Sequence, residues 1–261
     1  MSTFSAVQPH RVSAGAHPSS ACVPGAWGFW TTLAWGVAAV AISILIVGYG
    51  VVPAIDALQA RHPTLPSYAG QFLPGLALLL IFTGILVFAV RLAGSPVMDY
   101  LGLVRPRWRH VLLGLACLAA MLLGEKLLDL LMPAWTDPIH ASDVIGYRRN
   151  YAAGFSAMAS FLFGAILVFP LFEELLCRGF LFRGWSQSRL GVVGTILLTA
   201  LVFGLGHQQY PWPVIAFQIA KGVIYGWVRW VSGSTSLTIL LHAMNNLEYL
   251  LETMIRADAP P

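Results

Sequence analysis

Long runs of apolar residues alternate with short polar segments along most of the chain. Seven of these runs come close to the roughly 17–25 residues that a helix needs to cross the hydrocarbon core of a bilayer. They fall at residues 27–52, 72–92, 110–132, 155–177, 191–206, 211–230 and 235–254. Strands of a membrane barrel would instead alternate apolar and polar positions in segments of about ten residues. The continuous runs therefore favour helices.

The bilayer core offers no water to the backbone, so each run must satisfy its own N–H and C=O groups, which a helix does. The sequence thus predicts an all-α fold, a polytopic transmembrane bundle of about seven helices, with six to eight as the range. Composition agrees, because 57% of the residues are hydrophobic and 10% are charged, against about 25% charged in soluble domains. We expect an integral membrane protein whose immediate partner is the lipid bilayer.

Composition also divides the chain into four parts. Residues 1–26 are rich in Ser, Ala, Pro and His and lack the apolar core of a signal peptide, so we expect a disordered cytoplasmic tail. Residues 27–150 supply N-terminal transmembrane helices without a motif of their own. Residues 151–254 contain the helices that carry the polar motifs described below, and residues 255–261 form a short C-terminal tail.

The arginines that lie between the runs or near their ends indicate an orientation. If the N-terminus is cytoplasmic, nine fall on the cytoplasmic side: Arg11, Arg91, Arg105, Arg107, Arg109, Arg178, Arg183, Arg189 and Arg229. Four fall on the opposite side: Arg61, Arg148, Arg149 and Arg256. This asymmetry favours a cytoplasmic N-terminus, in the inner (plasma) membrane of a bacterium. The net charge of +4 does not indicate nucleic acid as a partner, because the arginines form no basic face interleaved with aromatic residues.

Two adjacent carboxylates follow an apolar stretch in the fourth run. Charged groups at bilayer depth cost at least a few kcal/mol, so they face the protein interior. Adjacent helix positions point about 100° apart, so Glu173 and Glu174 cannot do the same job. Glu174 precedes Arg178 by one turn, the favourable order for an ion pair, which leaves Glu173 for a cavity. The alternative is a helix-terminal ion pair at the membrane interface, which explains Glu174 and Arg178 but not Glu173.

Other residues in the runs predict local structure. Pro170 lacks a backbone N–H, so it should kink the fourth helix and free a carbonyl where a polar pocket would form. Gly222 and Gly226 have the small size that close helix packing requires. Lys221 has a stem long enough to reach the membrane surface, and Glu125 can pair locally or reach the interface. We favour these structural interpretations of Lys221 and Glu125 over a role in a site.

Two histidines and an asparagine complete the polar set. His207 ends the fifth run, and His242 and Asn246 share one face of the seventh at i,i+4. Alone, a histidine at a helix end is more often a cap, and a buried His/Asn pair often satisfies only itself. Together with Glu173, these side chains form an inventory that activates water, with or without a metal.

The three blocks resemble a known family. Glu173-Glu174-x-x-x-Arg178, Phe203-x-x-x-His207 and His242-x-x-x-Asn246 occur in this order on successive helices. The set resembles the CPBP family of intramembrane proteases, which includes type II CAAX prenyl endopeptidases, bacteriocin-processing homologues and abortive-infection proteins. The resemblance covers roughly residues 150–254.

The resemblance implies a role for each matching position. Glu173 and His207 correspond to the pair that binds and deprotonates the attacking water, and His242 and Asn246 to the oxyanion site. Glu174 is carried over as part of the catalytic motif, with Arg178 as its supporting ion-pair partner. No cofactor is predicted to be obligatory. Zinc is the metal that the set would suit, with Glu173, His207 and His242 as its ligands.

The leading hypothesis is therefore an intramembrane endopeptidase that hydrolyses a peptide bond of a membrane-associated protein or peptide. One alternative is a proton-coupled transporter, because intramembrane carboxylates and histidines also build proton relays. Internal repeats are expected in the sequence of a transporter, and none is evident here. A second alternative is a non-catalytic membrane scaffold with the same fold.

Overall fold

The computed structural model describes residues 27–62 and 69–258, and within them the chain is helical with no strand. The predicted tail 1–26 lies outside the described residues. Nine continuous helices follow one another in the described part. They are α1 (Phe29–Arg61), α2 (Ala69–Leu92), α3 (Val97–Leu101), α4 (Trp108–Leu131), α5 (Pro133–Ala152), α6 (Phe155–Ser186), α7 (Gly191–Leu205), α8 (Trp212–Ser232) and α9 (Thr235–Asp258).

Each of the seven predicted runs is a helix, so the all-α membrane bundle is confirmed. The count of nine exceeds the predicted seven because α3 and α5 lie outside the seven apolar runs. The one-turn helix α3 is too short to give a periodic signal. Helix α5 mixes polar with apolar residues and so contains no long apolar run. Residues 255–258, assigned above to a C-terminal tail, continue α9. A search for apolar runs finds spans and overlooks helices of this kind.

Four of the helices in the described residues are long and apolar enough to cross a membrane: α1, α2, α4 and α6. Helix α7 is apolar but shorter, and α8 and α9 carry more polar side chains. These helices make the chain an integral membrane protein. The polar residues of α8 and α9 face the bundle interior at several positions, as buried polar groups in membrane helices generally do.

Helices α7 and α8 pack closely through glycines. A Cβ atom on Gly222 would lie 2.8 Å from Cα of Ala200, and one on Gly226 would lie 3.1 Å from Cγ2 of Ile196. Only a hydrogen fits at Gly222, so the backbones of α7 and α8 can approach. The close packing predicted from these two glycines is confirmed.

Two arginines assigned above to cytoplasmic loops lie inside the bundle. Helix α6 continues beyond the predicted end at residue 177, so Arg178 is within the helix and completely buried. Arg229 is 7% exposed, and its Nε atom donates to the carbonyl oxygen of Arg178. These two arginines bind groups inside the bundle and do not lie in solvated loops. The difference in arginine number between the two sides of the membrane is consequently smaller than the sequence suggested.

Candidate active site

Two π-helical turns interrupt α6 on either side of its central polar residues. The first spans Gly164–Val168 and the second Leu175–Leu181. In the first turn the N–H of Phe169 binds the carbonyl of Gly164, five residues back. The same register would pair the next residue, Pro170, with Ala165, but proline has no N–H to donate. Local distortions of this kind are frequent at functional sites.

The carbonyl that Pro170 leaves free is bound by a side chain from another helix. Nδ2 of Asn246 on α9 donates to the carbonyl oxygen of Ala165 at 2.9 Å. This hydrogen bond supplies a donor to the carbonyl that the π-helical register would pair with position 170. It also fixes the orientation of the Asn246 amide, because an amide nitrogen can donate and a carbonyl oxygen can only accept.

Glu174 is completely buried and makes two charged or polar contacts through one oxygen. Its Oε1 accepts from Nη1 of Arg178 at 2.9 Å and from Nδ1 of His242 at 3.1 Å. The i,i+4 ion pair predicted from the spacing is present. Arg178 also donates through Nη2 to the carbonyl oxygen of Gly222 at 2.9 Å. The guanidinium therefore connects α6 to α8.

Glu173 points in a different direction from Glu174, as their adjacent helix positions require. Its side chain is 27% exposed and lines a cavity, and its Oε2 lies 4.0 Å from Nε2 of His242. Among the described residues Oε2 of Glu173 has no hydrogen-bond partner. The Glu173 carboxylate therefore lies at the cavity wall, and no described residue forms a hydrogen bond with its Oε2 atom.

The two histidines each use Nδ1 for a structural hydrogen bond. Nδ1 of His207 lies 2.9 Å from the carbonyl oxygen of Phe203, and Nδ1 of His242 contacts Glu174. Since a carbonyl and a carboxylate accept, both Nδ1 atoms carry a proton. The Nε2 atom of each ring remains for other chemistry. Stacking of His242 on Tyr225, with ring centroids 5.4 Å apart, also fixes its plane.

One cavity of about 510 Å³ brings together four of the residues singled out in the sequence. Glu173, His207, His242 and Asn246 all line it, whereas Glu174 and Arg178 do not. The first four therefore form its polar wall, and the ion pair lies behind His242. Helices α4, α5, α6, α8 and α9 contribute the rest of the lining, together with the segment between α7 and α8.

A second polar network in the same cavity was not predicted. Nζ of Lys221 lies 2.7 Å from Oε1 of Glu125 and 2.9 Å from Oδ1 of Asn245. Nδ2 of Asn245 donates to Oε2 of Glu125 at 3.1 Å. The expectation that Lys221 extends to the membrane surface is wrong, because it is 6% exposed and its ammonium group is bound inside the bundle. The sequence contained one indication that Lys221 is buried, because it is adjacent to Gly222, on the packed side of α8.

Helix α5 adds further polar groups that the sequence analysis missed. Nε2 of His140 lies 3.0 Å from Oδ1 of Asp129, and the hydroxyl of Tyr249 donates to Oδ2 of Asp143 at 2.6 Å. All four residues line the cavity. These residues form no motif along the chain, so a single sequence does not indicate that they lie together. Helix α5 also lies outside the predicted runs.

The assignment of Glu173, His207 and His242 as zinc ligands, should a metal be bound, stays a prediction. Among the described residues, no three His, Cys, Asp or Glu side chains are grouped so that they could hold a metal ion. Nδ1 of both histidines is bound to protein atoms, which leaves Nε2 of each ring as the atom that could act on a ligand.

Comparison with known proteins identifies the segment that contains this geometry. Residues 155–247 match the family model described as type II CAAX prenyl endopeptidase, Rce1-like. No curated protein and no solved structure matches the chain. The matched segment includes all three motifs and ends one residue beyond Asn246, while Glu125, His140 and Asp143 lie outside it. The segment that carries the three motifs is therefore similar to this family of endopeptidases, as those motifs predicted.

Proposed function

We propose that the protein is an intramembrane endopeptidase that hydrolyses a peptide bond of a membrane-associated protein or peptide. One observation carries the proposal. Oε2 of Glu173 has no partner among the described residues and lies 4.0 Å from Nε2 of His242, in a cavity that His207 and Asn246 also line. The match of the segment to an endopeptidase family supports it.

The first step uses Glu173 and His207 to activate water. Glu173 is the general base, and the lone pair on Nε2 of neutral His207 accepts a hydrogen bond from the same water. The water oxygen bonds to the carbonyl carbon of the scissile peptide, and one of its protons passes to Glu173. The electron pair of the C=O bond moves to oxygen, which gives a tetrahedral oxyanion.

Donors beside the proposed base stabilise that oxyanion. The second N–H of the Asn246 amide and, when His242 is doubly protonated, its Nε2–H are the donors in this proposal. Glu174 and Arg178 act through His242, because the Glu174 carboxylate fixes the ring through Nδ1. When the intermediate collapses, the C–N bond breaks and Glu173 returns its proton to the departing amine. The products are a carboxylic acid and an amine, which exchange a proton to become a carboxylate and an ammonium, and the water is consumed.

The test uses full-length protein in lipid vesicles with a library of quenched, membrane-anchored peptides. Glu173→Gln and His207→Ala should each lower kcat/KM by about 10²–10⁴-fold, the usual contribution of acid–base catalysis. Glu248→Gln and His62→Ala are the matched controls, since neither residue lines the cavity, and both should retain wild-type turnover. Unchanged cleavage in the Glu173 and His207 variants would reject the proposal. Proton-coupled solute uptake without cleavage would favour the transporter instead.

A further inference from the structure

The cavity contains five carboxylates, and their charges are compensated unequally. Glu125 pairs with Lys221 at 2.7 Å, and Glu252 pairs with Arg256 at 2.9 Å and also with Lys126. Asp129 contacts His140 at 3.0 Å and Arg256 at 3.9 Å. The remaining two are Glu173 and Asp143, which have no lysine or arginine within 4.0 Å among the described residues. Glu173 is the proposed base, so Asp143 is the carboxylate without an assigned role.

Asp143 lies among aromatic rings that face the same cavity. The hydroxyl of Tyr249 donates to its Oδ2 at 2.6 Å, and the Tyr249 ring stacks on His140 with centroids 5.8 Å apart. Tyr210 also lines this part of the cavity. A single carboxylate beside aromatic faces suits an ammonium or guanidinium group, which gains both a charge-assisted hydrogen bond and cation–π contact. A hard metal cation would need several oxygen ligands.

Tyr210 connects this corner of the cavity to the proposed base. Burial raises the pKa of the Tyr210 hydroxyl, and the negative charges of Asp143 and Glu173 raise it further. Both carboxylates and this phenol line the same cavity. A peptide that occupies this cavity and presents its scissile bond to Glu173 has Asp143 on the same lining.

We propose that Asp143, with Tyr249 and Tyr210, forms a subsite that selects a basic side chain, lysine or arginine, in the peptide substrate. The subsite rests on the proposed endopeptidase function. It also gives α5, which lies outside the segment of residues 155–247, a part in substrate choice. Asp143 is here a specificity-determining residue and takes no part in bond cleavage.

Two membrane-anchored peptides that differ at one position, arginine against its neutral analogue citrulline, test the subsite. Wild-type protein in lipid nanodiscs should cleave the arginine peptide at least about tenfold more efficiently, since a hydrogen bond to a charged group contributes on this scale. Asp143→Asn keeps an acceptor for Tyr249 and removes the charge. It should abolish the preference while cleavage of the citrulline peptide is retained, and Asp99→Asn, far from the cavity lining, should change neither.

Measurements of peptide binding distinguish failure of the subsite proposal from failure of the endopeptidase proposal. The Glu173→Gln protein should bind the arginine peptide at least about tenfold more tightly than the citrulline peptide, and Glu173→Gln/Asp143→Asn should bind both equally. If this binding preference is found without any cleavage by the wild type, the subsite is supported and the endopeptidase proposal fails. Equal binding of the two peptides by Glu173→Gln, or a preference that survives Asp143→Asn, overturns the subsite.

Discussion

Nδ2 of Asn246 on α9 donates to the carbonyl oxygen of Ala165 on α6 at 2.9 Å, although the two residues are 81 positions apart in the chain. The bond exists because a π-helical turn and Pro170 together leave this carbonyl without a backbone donor. A structural irregularity in α6 therefore orients a side chain on α9. Pro170 lies three residues before Glu173. The distorted part of α6 is therefore next to the proposed base in the same helix.

Pro170→Ala should lower turnover without unfolding the protein. Alanine supplies an N–H that competes with Asn246 for the Ala165 carbonyl, so the Asn246 amide loses its fixed orientation. We expect kcat/KM for a cleaved peptide to fall about tenfold, equivalent to the roughly 1.4 kcal/mol that one hydrogen bond is worth. Turnover and Tm are measured together in the same vesicles.

The control for that substitution is Pro213→Ala. Pro213 lies in the first turn of α8, where the backbone N–H has no partner within the helix in any case. It should leave turnover unchanged. Equal activity of Pro170→Ala and wild type would show that the Asn246 orientation does not depend on the missing donor.

The Glu125–Lys221 pair should stabilise the contact between α4 and α8. Lys221→Met leaves Glu125 partly buried and without its cation, so we expect a loss of about 2–3 kcal/mol, below the range for fully buried pairs. Glu125→Gln should cost a similar amount. The double variant should be less destabilised than the sum of the two single variants, because neither charge is left alone.

Unfolding free energies of the four proteins in one detergent measure that coupling. A lysine that only reaches toward the membrane surface would give additive effects close to zero. Strict additivity would therefore contradict the ion pair described here, whatever the size of the single effects.

Gly222→Ala should destabilise the protein by about 1–3 kcal/mol, the usual cost of overpacking. The new Cβ would lie 2.8 Å from Cα of Ala200, a backbone atom that cannot rotate away. Activity should also fall, since the Gly222 carbonyl accepts a hydrogen bond from Arg178. Tm and kcat/KM report the two effects separately.

Gly84→Ala on α2 is the matched control. A Cβ at Gly84 meets no atom within 4 Å, so the substitution should be neutral or stabilising by up to about 1 kcal/mol through helix propensity. If both glycine variants behave alike, close packing of α7 and α8 is not the reason for glycine at position 222.

The residues that sequence reasoning could place were those whose neighbours along the helix determine their direction. Glu173 and Glu174 diverge because adjacent helix positions do, and the Glu174–Arg178 pair follows from an i,i+4 spacing. The role of Pro170 follows from its missing N–H. By contrast, Asp143, Asn245 and Glu125 have partners on other helices, and no local spacing indicates a partner at that distance.

By itself, the sequence determined that the chain is a bundle of helices in a membrane, because backbone polar groups in lipid have to be satisfied within each apolar run. It also determined which polar residues needed an explanation. Only the tertiary structure decided that Lys221 is bound inside the bundle, that α5 closes one side of the cavity, and that Glu173 and His242 face each other. These features depend on how separate helices pack, and packing geometry is set by contacts between residues far apart in the chain.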